Sequence, residues 1–429
     1  MKADCEGSEK MDRTMPQSIH DILMEKGVIL PCPHSVEIGD AVNPDQIAAG
    51  ATIHAGSRIY GADTVICAGA VIGYEAPATV QDCCVGPDAA LKGGFFKKAV
   101  FLKGAEVGSG AQMREGTIFE EYAGAAHSVG VKQTILFPFV TLGSLINFCD
   151  CLMAGGTHAK NHSEVGSAYI HFNFTPQQDK ATASLIGDVP GGVMINQAPI
   201  FLGGQGGLVG PCRLAYGTVI AAGTVQRKDE TRPGRLIFGG PTKPGNVAFA
   251  PAMYRNVKRL VYNNLYYIAN LIALRQWYRH VRSRFISEAM PQAMFEGLQK
   301  TLAAGIAERL KQMRTFSEKM PESARVYQET AGEKASQSLL NQKNQMYQKW
   351  PELESQIHAD AEAPEFDADG RERFLTPLQS AIDSHGRTDY IAVIQSLDRQ
   401  TADTGTAWLQ NIVDERMNDW LNLLSAFSG

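Results

Sequence analysis

The chain reads as a mainly β plus α fold: a parallel β-helix followed by an all-α region. Three observations predict it. In Ile200–Gln226, I-F-L-G-G-Q-G-G-L-V-G-P-C-R-L-A-Y-G-T-V-I-A-A-G-T-V-Q, the residues Leu202, Leu208, Leu214 and Ile220 recur every six positions with small residues behind them. That period fits neither an amphipathic helix nor an alternating strand. It fits a chain that turns a corner every six residues and points one aliphatic side chain inward per face, three faces to a coil. Most of the 42 glycines lie before residue 250. Beyond Pro251 glycine nearly vanishes, and Val257, Leu260, Val261, Leu265, Ile268, Leu271 and Ile272 recur at helical spacing.

Taken in order, residues 1–15 are polar and expected to fray. Ser18 to Gly27 predicts a short helix, capped by Ser18 and ended by Gly27, that covers the open end of the first coil. Residues 1–27 are thus a tail and capping helix, 28–250 the β-helix, and 251–429 the helical domain. The six-residue phase runs through Ile47, Ile53, Ile59, Val65 and Val71, is disturbed over Glu75–Val100, and resumes at Phe101, Val107, Met113 and Phe119. Val140, Ile146 and Leu152 continue in a shifted phase. The polar insertions Gly155–Glu164 and Phe174–Ala183 read as loops on one face, where solenoids often bind. Helices are expected over 292–316, 322–350, 372–400 and 404–427, with Pro351, Gly370 and Pro377 as punctuation and Ala359–Gly370 as an acidic linker.

Composition bounds the function classes. A hydrophobic fraction of 44% and a charged fraction of 20% are those of a globular protein. No apolar run reaches the length of a membrane span, and the first thirty residues lack a signal-peptide core, so a cytoplasmic protein with no membrane partner is expected. The eight cysteines match no zinc or redox motif, and are read as buried thiols in a reducing compartment. Residues 231–287 hold ten Lys or Arg and no acid. Arg255, Lys258, Arg259, Arg275 and Arg279 alternate there with Tyr254, Tyr262, Tyr266, Trp277 and Tyr278 at helical spacing. We read this as a packed helix with a basic edge, next as part of a site for an anionic cofactor or nucleotide; no nucleic-acid partner is expected.

Residues 107–228 resemble the left-handed β-helix acetyltransferase domain of the bacterial bifunctional N-acetylglucosamine-1-phosphate uridyltransferase/glucosamine-1-phosphate acetyltransferases, most closely in F-L-G-G, L-V-G-P and V-I-A-A-G-T between Phe201 and Thr224. The resemblance implies a hexapeptide-repeat acyltransferase that uses acetyl-CoA or another acyl-CoA. It implies a homotrimer, with sites between neighbouring prisms and a sugar phosphate or nucleotide sugar as acceptor. Arg114 and Lys132 match the family's phosphate-gripping pair, Asn173 the Asn near the acetyl group, and Ala222 an Ala that contacts the cofactor. The departures are as informative. The catalytic His of the family's G-H-L is replaced in Gly143-Ser144-Leu145; Asn147 replaces a Tyr and Glu164 an Asn that contact the sugar; Gly204 replaces a Ser that contacts the cofactor. The cofactor-side Arg aligns near Gly239, leaving Arg232, Arg235 and Lys243 as candidates for phosphate contacts. A serine hydroxyl cannot deprotonate an amine near neutral pH, so a substitute base is required, and His158, His162 and His171 are the candidates; His127 reads as structural or surface.

Two other readings compete. A non-catalytic binding or scaffold protein would keep the anion pocket without the base and use the helical domain for a protein partner. A zinc enzyme of the γ-carbonic-anhydrase kind would use His158 and His162, were they on a helix; the spacing does not match that family, and no metal ligand is assigned. Nothing in the sequence resembles the nucleotidyltransferase half of the bifunctional enzymes, so no such domain is expected.

Overall fold

The structure, a computed structural model, describes residues 18–239, 245–246, 249–364 and 366–427. The polar stretch 1–15 and Lys243 lie outside the described residues. Ser18 caps α1 (Ile19–Lys26) by accepting from the Asp21 amide at 3.2 Å, and Gly27 closes it in the left-handed region at φ 97°. Leu23 is fully buried, and the Gly50 amide donates to the Gly27 carbonyl, so α1 covers the end of the first coil.

From there the chain winds as a parallel solenoid with three faces, visited in order within each coil. The first face runs from Thr52–Ile53 to Leu236–Ile237, the second from Glu37–Ile38 to Val225–Gln226, and the third from Val65–Ile66 to Arg213–Leu214. The six-residue phase slips by one after Ile59. Ile53 pairs with Ile72, and Ile66 and Ile72 are the inward, fully buried residues, while Val65 and Val71 face outward. Coil length varies accordingly: Thr52 to Val71 takes 19 residues, Ala90 to Glu106 takes 16, and Gly124 to Thr141 takes 17. Extra residues collect at corners, where no ladder hydrogen bond is lost. The disturbed stretch Glu75–Val100 is therefore ordinary coil, with strands Ala78–Gln81, Cys84–Val85, Ala90–Leu91 and Gly94–Lys97.

The third face is apolar on its outer side as well. Val65, Cys84, Val100, Ile118, Ile135, Leu152 and Leu185 stack in register there, ending at Arg213. Strands apolar on both sides need cover on both sides. Cover comes from the helical region: α3 (Val257–His280) and α4 (Gln292–Glu318) lie on this face. Solenoid and helices consequently share one continuous hydrophobic core. α4 approaches closely: a Cβ at Gly297 would lie 2.3 Å from Cys84 Sγ, whereas one at Gly305 would meet Gln133 only at 3.7 Å. Gly305→Ala should stabilise the protein by about 0.5–1 kcal/mol through helix propensity. Gly297→Ala, with the same propensity gain, should instead destabilise it by about 1 kcal/mol or more. Urea denaturation of both variants checks this; equal shifts would mean that α4 does not seat against Cys84.

The insertions serve the helices. Gly155–Glu164 is no loop but an antiparallel hairpin, Gly156–His158 with Asn161–His162. Phe174–Ala183 is a loop held by the helical region: Tyr254 donates to Asp179 at 2.7 Å, and Lys319 donates to the Gln177 and Gln178 carbonyls at 2.7 Å. A third insertion, unforeseen in the sequence, contains α2 (Val189–Gly192), capped by Asp188 and tied to α3 by a hydrogen bond from the Val189 amide to Asn270 at 2.9 Å.

The remaining helices are α5 (Met320–Ala331), α6 (Gln337–Glu362), α7 (Ala368–His385), α8 (Tyr390–Ser396) and α9 (Arg399–Leu423). The helix expected over 322–350 is two, because Gly332 ends α5 and Ser336 caps α6. Pro351 and Pro377 do not break helices but sit inside α6 and α7. Each forfeits one backbone hydrogen bond, and buried neighbours (Trp350 and Leu353, Leu375 and Leu378) hold the helix through it. The acidic linker shrinks to the few residues after Glu362; Asp360 is buried in α6, bound by Arg416 at 2.9 Å and Trp420 at 2.8 Å.

Candidate functional site

Strand register fixes where the candidate residues stand. Gln112 pairs with Gly130 and Met113 with Val131. Met113 and Val131 are buried inward, so Arg114 and Lys132, next in sequence, point outward from adjacent coils, one strand spacing of ~4.8 Å apart. Both stand where the second face meets the third. Glu115 Oε2 lies 3.6 Å from Lys132 Nζ. Burial raises the Glu115 carboxyl, but its own backbone hydrogen bond and the charges of Lys132 and Arg114 outweigh that and hold it below the ordinary range. Among the described residues no carboxylate ion-pairs with Arg114.

One coil beyond Lys132, the same edge is anchored to α4. Arg309 donates to Asp150 Oδ1 at 2.5 Å, and Asn173 Nδ2 donates to Asp150 Oδ2 at 2.6 Å. Asn173 is therefore brought to the Arg114–Lys132 edge, with its amide nitrogen engaged by Asp150 and its side-chain oxygen without a partner among the described residues.

The opposite edge of the second face carries the cofactor-side candidates. Ser144, Ser167, Gly204 and Ala222 stack in successive coils, linked by amide-to-carbonyl hydrogen bonds from Ala168 to Ser144, Gln205 to Ser167 and Gly223 to Gly204. A Cβ at Gly204 would stand 2.7 Å from the Ser167 carbonyl oxygen, so the close stacking of these coils excludes a serine there without a backbone shift. Ala222 is exposed. Arg232 is bound by Glu230 through Nε at 2.8 Å and Nη2 at 2.6 Å, which neutralises it; Arg235 is exposed on the last strand-bearing segment.

The histidines are dispersed. His171 points inward: it pairs with Leu208, is 1% exposed, and has both ring nitrogens engaged, Nδ1 with the Cys149 carbonyl at 2.6 Å and Nε2 with Ser184 Oγ at 2.8 Å. Burial pushes it down to about 4, so it stays neutral in the core. His158 and His162 stand on the hairpin between the third and first faces, away from Arg114 and Lys132 in the same chain. The hairpin replaces the helix that the zinc reading required. Among the described residues no group of three or more His, Cys, Asp or Glu is placed to hold a metal ion, and no helix is long and apolar enough to cross a membrane.

No protein-family model matches the chain. Curated relatives do. The bifunctional protein GlmU of Clavibacter sepedonicus is 30% identical over 190 residues, 44% of this chain and 34% of the relative. That of Thermotoga sp. (strain RQ2) is 26% identical over 207 residues, 48% of this chain and 41% of the relative. The chain thus spans well under half the length of these relatives. Likeness of sequence and the solenoid itself agree. The solenoid is a hexapeptide-repeat β-helix segment of the acyltransferase type.

In this acyltransferase-type β-helix one residue gains weight from the fold. His127 stands one coil before Ser144 on the same edge, since the Leu145 amide donates to the His127 carbonyl at 3.0 Å. Its side chain is 65% exposed, with Nδ1 3.8 Å from Glu75 Oε2. Glu75 in turn accepts from the Ser109 amide at 3.1 Å and lies 3.7 Å from Lys92. Burial raises the Glu75 carboxyl, but the Ser109 hydrogen bond and the charges of Lys92 and His127 prevail and keep it ionised. The sequence holds a signal for this pair only once coil lengths are known, because Glu75 is the extra residue of a long corner.

Proposed function

We propose that the protein is an acyl-CoA-dependent acyltransferase acting on a sugar phosphate or nucleotide sugar, with its site between second faces of neighbouring copies. The observation that carries this reading is the Arg114–Lys132 pair, two outward cations one coil apart. Such a pair offers charge-assisted, and for Arg bidentate, contacts to one phosphate. An acyltransferase-type β-helix supplies the rest: the acceptor's amine or hydroxyl attacks the thioester carbonyl, a base takes its proton, and the CoA thiolate leaves. His127 suits the base role best, being exposed, beside the Ser144 position, and oriented by Glu75. His162, 3.8 Å from Glu164, is the second candidate, reaching the site from a neighbouring copy.

Assembly as a homotrimer is part of the proposal. Phe201, Val219 and Leu236 stack outward on the first face, and Ile170, Phe172 and Val225 are exposed on the second. These apolar stripes flank one edge of the prism. The third face is covered by the chain's own helices, leaving these two faces for contact between copies.

A second reading, ligand binding without turnover, is favoured by Ser144 standing where the family has its base. One assay separates the two. The protein is mixed with acetyl-CoA and a panel of amino- and hydroxy-sugar phosphates and nucleotide sugars, and free thiol is measured. We expect thiol release with at least one acceptor, and its loss in His127→Ala. Acceptor binding with no thiol release from any member of the panel would establish the binding protein instead.

A further inference from the structure

The last coils of the solenoid and the start of α3 flank an open cavity of about 940 Å³ whose walls carry six cationic side chains beside the neutral Asn256, Tyr262, Asn263 and Gln342. Arg213, Arg227 and Lys228 come from the solenoid, Arg255, Lys258 and Arg259 from the approach to α3 and its first turn, and Asp229 is the single carboxylate. It lies on the edge that bears Arg114 and Lys132, five coils beyond the first and four beyond the second, roughly 24 and 19 Å away by strand spacing. Nothing in it rests on the function proposed above.

Some of these groups build the wall. Asp229 accepts from the Arg213 amide at 3.0 Å and from Asn263 Nδ2 at 2.9 Å, and Arg259 reaches the Pro211 carbonyl at 2.7 Å. The Arg213 guanidinium lies over the stacked rings of Tyr262 and Tyr266, 4.9 and 4.8 Å from their centroids, and its buried Nε has no hydrogen-bond partner. Other groups have no such task. Arg227 reaches only the Val225 carbonyl at 3.3 Å, Arg255 only Met253 Sδ at 3.3 Å, and the Lys228 ammonium has no partner among the described residues. All three are exposed. α3 adds to the field: Asn256 gives it no side-chain cap, and its first turn holds no acid, so its free N–H groups stand at the cavity with the positive end of the helix dipole.

Clustering like charges costs free energy, and for Arg227, Lys228 and Arg255 no carboxylate among the described residues offsets it, whereas Arg259 has Asp229 at 3.5 Å. The volume is that of a small-molecule site. Three unneutralised cations and a bare helix N-terminus match the charge of two or three linked phosphates better than that of one. We infer that this cavity binds a small molecule through a diphosphate or triphosphate group.

Titration calorimetry on the full chain, with inorganic pyrophosphate, tripolyphosphate and orthophosphate as probes, tests the inference. Pyrophosphate and tripolyphosphate should bind about tenfold or more tightly than orthophosphate. Lys228→Ala/Arg255→Ala should weaken the pyrophosphate-preferring site about tenfold or more, and by the same factor when Arg114 and Lys132 are also replaced by alanine. Neither Lys228 nor Arg255 holds a core contact, and an unaltered thermal melt confirms that the variant is folded. Equal affinity for the three probes, or no effect of the Lys228/Arg255 pair, would overturn the inference. So would displacement of pyrophosphate by a short oligothymidylate at equal concentration, which would assign the groove to single-stranded nucleic acid.

Discussion

Arg282→Ala should lower the free energy of unfolding by about 3–5 kcal/mol, the largest stability loss expected of any single charged side chain here. Arg282 follows α3 within the basic stretch and is 1% exposed, with Glu121 of the solenoid 9% exposed and ion-paired to it. Its guanidinium also lies 3.8 Å from the centre of the Tyr390 ring. Beside the pair, Glu120 accepts from Tyr278 at 2.5 Å; burial pushes its carboxyl up to about 7, with Arg282 opposing and Glu121 adding to the rise. Truncating Arg282 leaves the largely buried Glu121 without its counter-charge. The loss measures that orphaned charge more than the worth of the pair. Arg282→Met/Glu121→Leu should therefore recover most of it, since an apolar replacement of a whole buried pair is often neutral or better. Urea denaturation of the single and double variants decides. A single variant within about 1 kcal/mol of the wild type would mean that solvent enters this junction.

Arg114→Ala/Lys132→Ala should reduce kcat/KM for a phosphorylated acceptor by about 100-fold or more, from about tenfold or more for each charge-assisted contact removed. Neither side chain supports the core: Arg114 is exposed and Lys132, among the described residues, reaches only Glu115. Stability should hold while activity falls. Lys132→Arg should keep more activity than Lys132→Ala, because the charge is retained although the geometry of the contact changes. If the pair's removal leaves acceptor binding intact by calorimetry, the phosphate is held elsewhere and the proposed face is wrong.

The solenoid was legible because its register is written in single residues, Leu202, Leu208, Leu214 and Ile220. Its phase elsewhere was not, because a corner absorbs an extra residue at no cost to the ladder, and counting in sixes then names Val65 where Ile66 is the inward residue. The covered third face was also written in the sequence. C-C-V, A-V-F, T-I-F, T-I-L, C-L-M and S-L-I show apolar residues at neighbouring positions, hence on both sides of a strand. A strict six-residue template discards that second column. At the site, Arg114 and Lys132 could be matched because they lie one coil apart. His171, a candidate base by residue type alone, is removed by the alternation along Ile170–Phe172, which turns it inward, opposite Leu208. His127 and Glu75 meet only through coil geometry, which no local pattern reveals.

The helical cover has a consequence for how the protein comes apart. A bare solenoid is held by contacts between neighbouring coils, so it can melt piecemeal from either end. Here α4 runs along the axis from Gly297 at Cys84 to Arg309 at Asp150, touching coils far apart in the stack. Losing any one of those coils costs the helix its seat, and losing the helix uncovers them all. The spanned coils are thereby joined into one unit of unfolding, and a chain whose β-half could have behaved as a row of separable repeats acquires the all-or-none character of a compact domain.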